Sequence, residues 1–387
     1  MTAARDQSLD MDLARERFQE STDFTCAIEE EFAILDPETL DLAHGFVELR
    51  DAAKANTALA DSVRGELIDT EIEIRSGCSE SFDELCANQR GFRRDLFALA
   101  AEHGYALGSS GTHPWASYMD QEIIDTDHYS RLHAELGYVA ERNNTWSLHA
   151  HVGVRGADRA VAVCDALRNH LPVLLAISAS SPFLDGRDTG LASVRSQIFT
   201  RSFPRCGVHD PFGDWDSYAN FVDLLERTNS VVESTQLWWS VRPHHSFGTV
   251  EVRICDAQGD GDESLALCGL LVACVAQAAT DYDEGALVAP MRAREIEENL
   301  WRAIRYGLDG RMIDFDAAAE IPTREAVDRL LSWTEPARGA LAIPEPEIVA
   351  NDAQRYRSRL REGATIPEIY REGVERTRRT YGAGEGS

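Results

Sequence analysis

Four separate stretches of this chain alternate ionisable and aliphatic side chains with a period of two. That pattern limits the possible folds more than any other feature. The first stretch is Thr25-Cys26-Ala27-Ile28-Glu29-Glu30-Glu31-Phe32-Ala33-Ile34-Leu35. Side chains alternate faces along a β-strand, so Glu29 and Glu31 share a face with Ala27 and Ala33, while Ile28, Phe32 and Ile34 share the other with Glu30. The second, Glu66 to Arg75, sets Asp69, Glu71, Glu73 and Arg75 against Ile68, Thr70, Ile72 and Ile74. The third, Thr145 to Val154, sets His149 and His151 against Leu148, Ala150, Val152 and Val154. The fourth, Phe247 to Cys255, sets Glu251 and Arg253 against Val250, Val252 and Ile254.

Two readings follow. In one, the polar side is the solvated outer face of an antiparallel sheet, with incidental ion pairs such as Glu73 with Arg253. In the other, the strands are neighbours and their carboxylates and histidine converge on a shared floor. Such a cluster repels itself unless it is neutralised. Hard divalent cations neutralise it best; Mg²⁺ is commonly held by a few carboxylates plus phosphate oxygens, and a histidine among the donors leaves Mn²⁺ open. The second reading is therefore a floor where cations bridge protein carboxylates and ATP phosphates. The pair His149 and His151 taken alone also fits ordinary sheet residues.

Composition removes several alternatives. The formal net charge of −28 argues against nonspecific nucleic-acid or anionic-membrane binding. Lys54 is the only lysine. The chain thus has no Walker-type phosphate loop and no well-placed Schiff-base lysine, and an anion must be met by arginine, a metal or backbone N–H groups. The Gly-x-Gly-x-x-Gly, Gly-x-Ser-x-Gly and His-Glu-x-x-His patterns are missing as well. Cysteines at 26, 78, 86, 164, 206, 255, 268 and 274 form no Cys-x-x-Cys pair and are read as reduced thiols of a cytoplasmic protein. Met1 to Glu20 lacks an apolar signal core, and the longest apolar run, Leu265 to Ala279, is broken by Gln277 and is expected to fall short of a membrane span.

In chain order, residues 1–22 read as a polar arm or short helix, and 23–380 as a single domain. Asp36-Pro37-Glu38-Thr39 is a turn leading to a short return at 40–42. Helices are expected at 46–60, from an N-cap at Ser79 to Glu102, and at 127–142, 157–180, 191–201, 215–229 and 264–280. Further strands are expected at 105–112 and 237–242. Residues 291–380 read as helical, with breaks near Pro322 and at 344–346, and 381–387 as a flexible tail. Ser109-Ser110-Gly111 reads as close packing rather than a nucleophile.

Taken together, the motifs resemble a known family. Ile28-Glu29-Glu30-Glu31-Phe32 followed by Asp36-Pro37-Glu38-Thr39-Leu40 is similar to the opening signature of the type 2 glutamate–cysteine ligases, which are ATP-dependent carboxylate–amine ligases. The series continues in order with Glu71-Ile72-Glu73-Ile74, Gly111-Thr112-His113-Pro114, Leu148-His149-Ala150-His151-Val152-Gly153-Val154, Ser178-Ala179-Ser180-Ser181-Pro182-Phe183, Gly186-Arg187-Asp188-Thr189-Gly190, Trp238-Trp239, Arg242-Pro243, Gly248-Thr249-Val250-Glu251-Val252-Arg253 and Asn299-Leu300-Trp301-Arg302-Ala303.

The resemblance implies an α+β, glutamine-synthetase-like fold: a curved, mainly antiparallel sheet of about six strands with helices on its convex face. It implies ATP and Mg²⁺ or Mn²⁺ as cofactors, with glutamate and an amine such as cysteine as substrates, in low-molecular-weight thiol synthesis. By motif position, Glu29, Glu31, Glu73, His149 and Glu251 correspond to metal ligands, Arg253 to a phosphate contact, and Arg187, Arg195 and Trp239 to substrate- or nucleotide-pocket residues; Glu73 and Arg253 take the catalytic roles. The chain departs from the family pattern at Ala27, where glycine is usual, at Glu71, where glutamine is common, and at Ser76-Gly77, where a Thr-Pro pair usually follows. Glu71 and Arg75 are expected either to pair or to reshape the substrate end. The rival readings are a ligase of the same chemistry using a different amine, a guanidino phosphotransferase and a catalytically silent nucleotide- or metabolite-binding relative. Exposed sheet edges favour a homodimer.

Overall fold

A computed structural model describes residues 9–56 and 58–382; residues 1–8 of the expected arm and 383–387 of the expected tail lie outside the described residues. The strands in chain order are β1 (Cys26–Leu35), β2 (Val63–Arg64), β3 (Glu71–Arg75), β4 (Ala106–Gly108), β5 (Ser147–Gly153), β6 (Phe183–Leu184), β7 (Arg187–Asp188), β8 (Val241–His244), β9 (Thr249–Asp256), β10 (Arg311–Asp314) and β11 (Ala319–Pro322). Seven of them form one sheet, ordered β2-β3-β1-β5-β9-β8, with β4 also paired to β1. Every pairing in it is antiparallel. This is the expected α+β architecture, with one more strand than six because two-residue β2 adds to the edge.

The aliphatic face of the sheet is covered by helices. Ile28, Leu148, Ala150, Val152, Val250, Val252 and Ile254 pack in one core with residues of Ala157–Leu167, Leu171–Ser178 and Gly261–Asp283. Phe32, Ile34, Ile72 and Ile74 pack in a second with residues of Phe46–Ala55 and Phe82–Glu102. Gly261–Asp283 is longer than the run read from sequence, and it and 157–178 are long and apolar enough to cross a membrane by composition. In the fold, 83% of the most apolar window of each is buried against the rest of the protein.

Several boundaries differ from expectation for local reasons. The Phe82–Glu102 helix is capped by Ser81, which accepts from the Glu84 N–H; Ser79 instead exchanges two backbone hydrogen bonds with Cys26 and extends the sheet. The 157–180 helix is split by a 3₁₀ turn at Arg168–His170, just before Pro172, which lacks the N–H to continue it. The 291–380 segment contains the β10–β11 hairpin as well as helices. Met11–Glu20 is a helix within the expected arm. The small residues at 109–111 serve packing, as expected: a Cβ on Gly111 would lie 2.8 Å from the Asp256 carboxylate. All eight cysteines are free thiols.

Two buried histidines give the fold an acid sensitivity. His113 donates from Nε2 to the Leu40 carbonyl (2.7 Å) and accepts at Nδ1 from the Ala116 N–H (3.0 Å), which fixes the neutral tautomer. Burial pushes its pKa down to about 4, and burial does the same to His209. Between pH 6.5 and 4 the unfolded chain binds protons that the folded state refuses. The stability from each neutral histidine is therefore complete above pH 6.5 and is lost as pH falls towards 4. By pH 5 this amounts to roughly 2 kcal/mol per histidine. In urea titrations, the stability advantage of wild type over His113→Gln should shrink by about that amount between pH 7.5 and pH 5. An advantage that stays constant over this range would refute the neutral assignment.

Candidate active site

Sheet register sets the ionisable groups side by side. Glu31 lies opposite Glu73, and Glu29 opposite both Arg75 and His149; Ala27 lies opposite His151, which lies opposite Glu251. Exposure decides between the two sequence readings. Glu29 and Glu31 are 8% and 7% exposed, Glu73 and Glu251 1% each, and His149 and His151 4% each. A solvated sheet face would leave these groups in water; here they form the floor of a cavity of about 370 Å³.

Within the floor, His149 Nδ1 lies 3.3 Å from Glu29 and its Nε2 lies 2.8 Å from the Ser147 hydroxyl, which itself sits 2.7 Å from Glu31. His151 Nε2 has no hydrogen-bond partner among the described residues, yet lies 3.5 Å from Glu29 and 3.8 Å from Glu251. Those spacings are too long for good hydrogen bonds. They suit donors that share a cation, because two ligands each about 2.1 Å from one ion lie roughly 3–4 Å apart. Three sets of donor atoms meet within 4.8 Å: Glu29, His151 and Glu251; Glu29, Glu73 and His149; and Glu31, Glu66 and Glu73. All the donors are carboxylate oxygens or imidazole nitrogens, so the residues fit Mg²⁺ or Mn²⁺.

The charges are unevenly balanced. Burial works against the Glu29 carboxylate, but His151 and Arg75 outweigh it and hold the group well below the usual range. Burial of Glu251 is likewise overcome by Arg242 and Arg253. Glu73 and Glu71 are pushed well above the usual range by burial and then by neighbouring carboxylates, Glu29 for the first and Glu31 and Glu66 for the second. Burial and then Arg253 lower His149. The β3 side of the floor thus carries excess negative charge that its own arginine does not cancel.

Ion pairing departs from expectation. Glu73 pairs with Arg75, which also reaches Glu29 at 3.2 Å, so neither the Glu73–Arg253 pair nor the Glu71–Arg75 pair forms. Arg253 pairs with Glu251, as does Arg242 at 2.6 Å. The buried Nε atoms of Arg253 and Arg195 face no acceptor among the described residues, and both side chains line the cavity.

Of the nine residues singled out, the cavity gathers Glu29, Glu31, Glu73, His149, Glu251, Arg253 and Arg195. Arg187 is exposed on the β6–β7 hairpin and lines no part of it. Trp239 packs in the core against His209, Phe212 and Tyr218, and the adjacent Trp238 lines the cavity instead. Sequence reasoning missed Glu66, Arg242 and Phe247, and left His151 unassigned although its spacing from His149 put it on the same face. Glu66 counts to the aliphatic side of its alternating stretch, but it precedes β3 and reaches the cavity from outside the strand.

The third carboxylate of the opening run has its own partners. Glu30 points into the core and accepts from Arg93 Nε (2.6 Å) and Gln89 Nε2 (2.7 Å), both on the covering Phe82–Glu102 helix, and from the Ser264 hydroxyl. The Arg93 guanidinium also lies 4.5 Å over the Tyr381 ring.

Comparison with known proteins agrees with this geometry. The family model described as glutamate-cysteine ligase family 2 matches residues 25–377. A protein of Rubrobacter xylanophilus provisionally named glutamate--cysteine ligase 2-2 is 36% identical over 356 residues, covering 92% of this chain and 91% of the relative. A provisionally named glutamate--cysteine ligase 2 of Sorangium cellulosum is 38% identical over 312 residues, covering 81% and 83%. Among solved structures, the fold is similar to that of a glutamate–cysteine ligase of Francisella tularensis in complex with AMP, with a TM-score of 0.67 at 12% identity, covering 94% of this chain and 91% of that one.

Proposed function

The chain belongs to glutamate–cysteine ligase family 2, and on that premise we propose that it joins the γ-carboxylate of glutamate to the amine of cysteine at the expense of ATP. The observation that carries the reading is the buried carboxylate–histidine floor, with its three sets of donors and two arginines whose Nε atoms are free. Glu29, Glu31, Glu66, Glu73, His149, His151 and Glu251 are the residues that would hold Mg²⁺ or Mn²⁺. When bound, the cations neutralise charge on the phosphate oxygens as the γ-phosphoryl group moves.

The chain's own residues do the rest. The glutamate γ-carboxylate attacks the γ-phosphorus of ATP, the bond to the β-phosphate oxygen breaks, and ADP leaves a γ-glutamyl phosphate. The cysteine amine then attacks the acyl carbon, phosphate leaves, and the amine gives up a proton. Both steps build negative charge on phosphoryl oxygens, and the Arg253 and Arg195 N–H groups face the cavity where that charge develops. Ser147 and His149 hold the Glu31 and Glu29 carboxylates in fixed orientations. Holding the reactants together supplies the second contribution, and no side-chain nucleophile is needed.

The test is ADP release with Mg²⁺, glutamate and a panel of amino acids and amines, with the product weighed by mass spectrometry. Cysteine should stimulate release and yield the dipeptide, and chelation should return the rate to background. If no amine stimulates release above the level with glutamate alone, the ligase reading fails.

A further inference from the structure

One buried carboxylate of the floor belongs to none of the three donor sets. Glu71 is 1% exposed and lines the cavity, and its Oε2 has no hydrogen-bond partner among the described residues. The charged groups that act on it are the Glu31, Glu66 and Glu73 carboxylates, and its side-chain hydrogen bond is shared with Glu31, which leaves Oε2 unmet. Arg75 is committed to Glu73 and Glu29. Across the sheet Glu71 faces Ala33, whose methyl group offers no hydrogen-bond donor. A buried carboxyl oxygen without a donor is costly unless a ligand brings one.

Distance along the strand says which part of a ligand that is. Glu71 and Glu73 point to the same face of β3, two residues apart, so their backbones are separated by about 6.7 Å. The γ-carboxyl carbon and α-nitrogen of glutamate are four bonds apart, roughly 5 Å when extended. A donor molecule whose γ-carboxylate lies among Glu29, Glu73 and His149 therefore brings its α-ammonium next to Glu71. The attacking amine cannot fill this place, since it must come within bonding distance of the γ-carbon.

We propose that Glu71 is a specificity-determining residue that accepts a hydrogen bond from the α-ammonium of the carboxylate donor. The inference rests on the ligase reading above. It assigns the requirement for an amino acid, rather than a plain dicarboxylic acid, to one side chain.

The probe is glutarate, which is glutamate without the α-ammonium, compared with glutamate itself and with 4-aminobutyrate, which keeps the amine and lacks only the α-carboxylate. Wild type, Glu71→Gln and Glu71→Leu are compared for kcat/KM with each donor and the best acceptor amine. In wild type, glutamate should outperform glutarate by tenfold or more. In both variants that ratio should fall towards one, through KM, with the Mg²⁺ activation curve unmoved. An unchanged ratio overturns the proposal, as does a variant whose main change is a higher Mg²⁺ requirement, which would make Glu71 a cation ligand. Should wild type turn over no donor with any amine, the ligase reading is what fails. The same ratio is then read from dissociation constants for the three donors in the presence of Mg²⁺ and ADP, which keeps the proposal open to refutation. Matching thermal melts of wild type and Glu71→Gln establish that folding is not the cause.

Discussion

Glu73→Gln should lower kcat by on the order of 10²–10³-fold at saturating Mg²⁺ while the melting temperature holds steady or rises. The two halves of this result have one cause. Glu73 contributes to two of the three donor sets, so losing its charge weakens the cation-binding floor twice over. Yet in the protein alone its carboxylate is a burden, 1% exposed and pressed by the charge of Glu29. Replacing it with a neutral side chain of the same shape relieves that repulsion and leaves Arg75 its contact with Glu29. Steady-state ADP release and a thermal melt on the same preparation check both halves. Near-normal turnover would remove Glu73 from the ligand set, and a large drop in melting temperature would make its role structural.

Arg93→Leu should act in the opposite way, on stability first. It leaves Glu30, 3% exposed, without its main counter-charge among aliphatic residues. Breaking a buried pair from one side costs about 3–5 kcal/mol. Removing both partners, in Glu30→Leu with Arg93→Leu, should recover a large part of that loss, because no isolated charge remains. Urea midpoints of the three variants form the test. Equal losses in the single and double variants would mean that packing, rather than the unpaired charge, sets the cost. Because Glu30 sits between Glu29 and Glu31, turnover of the folded single variant should fall as well.

The floor was legible in the sequence because it is written with the period of a strand. Glu29, Glu31, Glu73, His149 and Glu251 each alternate with aliphatic neighbours, and antiparallel pairing does the rest. What did not show had no period to reveal it. Glu66 reaches the floor from the loop before β3. Trp238 and Trp239 are adjacent, and no composition argument could tell which would face the cavity. Arg187 sits in a motif of the family but on an exposed hairpin. The Ser79 cap failed because a serine two positions later competes for the same helix start, and Ser79 is held by backbone bonds to Cys26. The partner of Glu30 was foreseeable in kind, an arginine from a covering helix, but its position came from the packing of three distant segments.

The Tyr381 ring bears on when this protein becomes competent. It stacks on Arg93 and meets Phe32 edge-on, with the ring centroids 5.2 Å apart. Phe32 and Tyr381 are separated by nearly the whole chain. Contacts of such long range close late and slow the search for the native state. During synthesis, all seven strands of the sheet emerge before the segment that carries Tyr381, and the strand with the carboxylate run must wait for the last part of its backing. The cover over the carboxylate-bearing strand is therefore completed only when the Ile366–Tyr381 helix docks, after every strand of the sheet has been made.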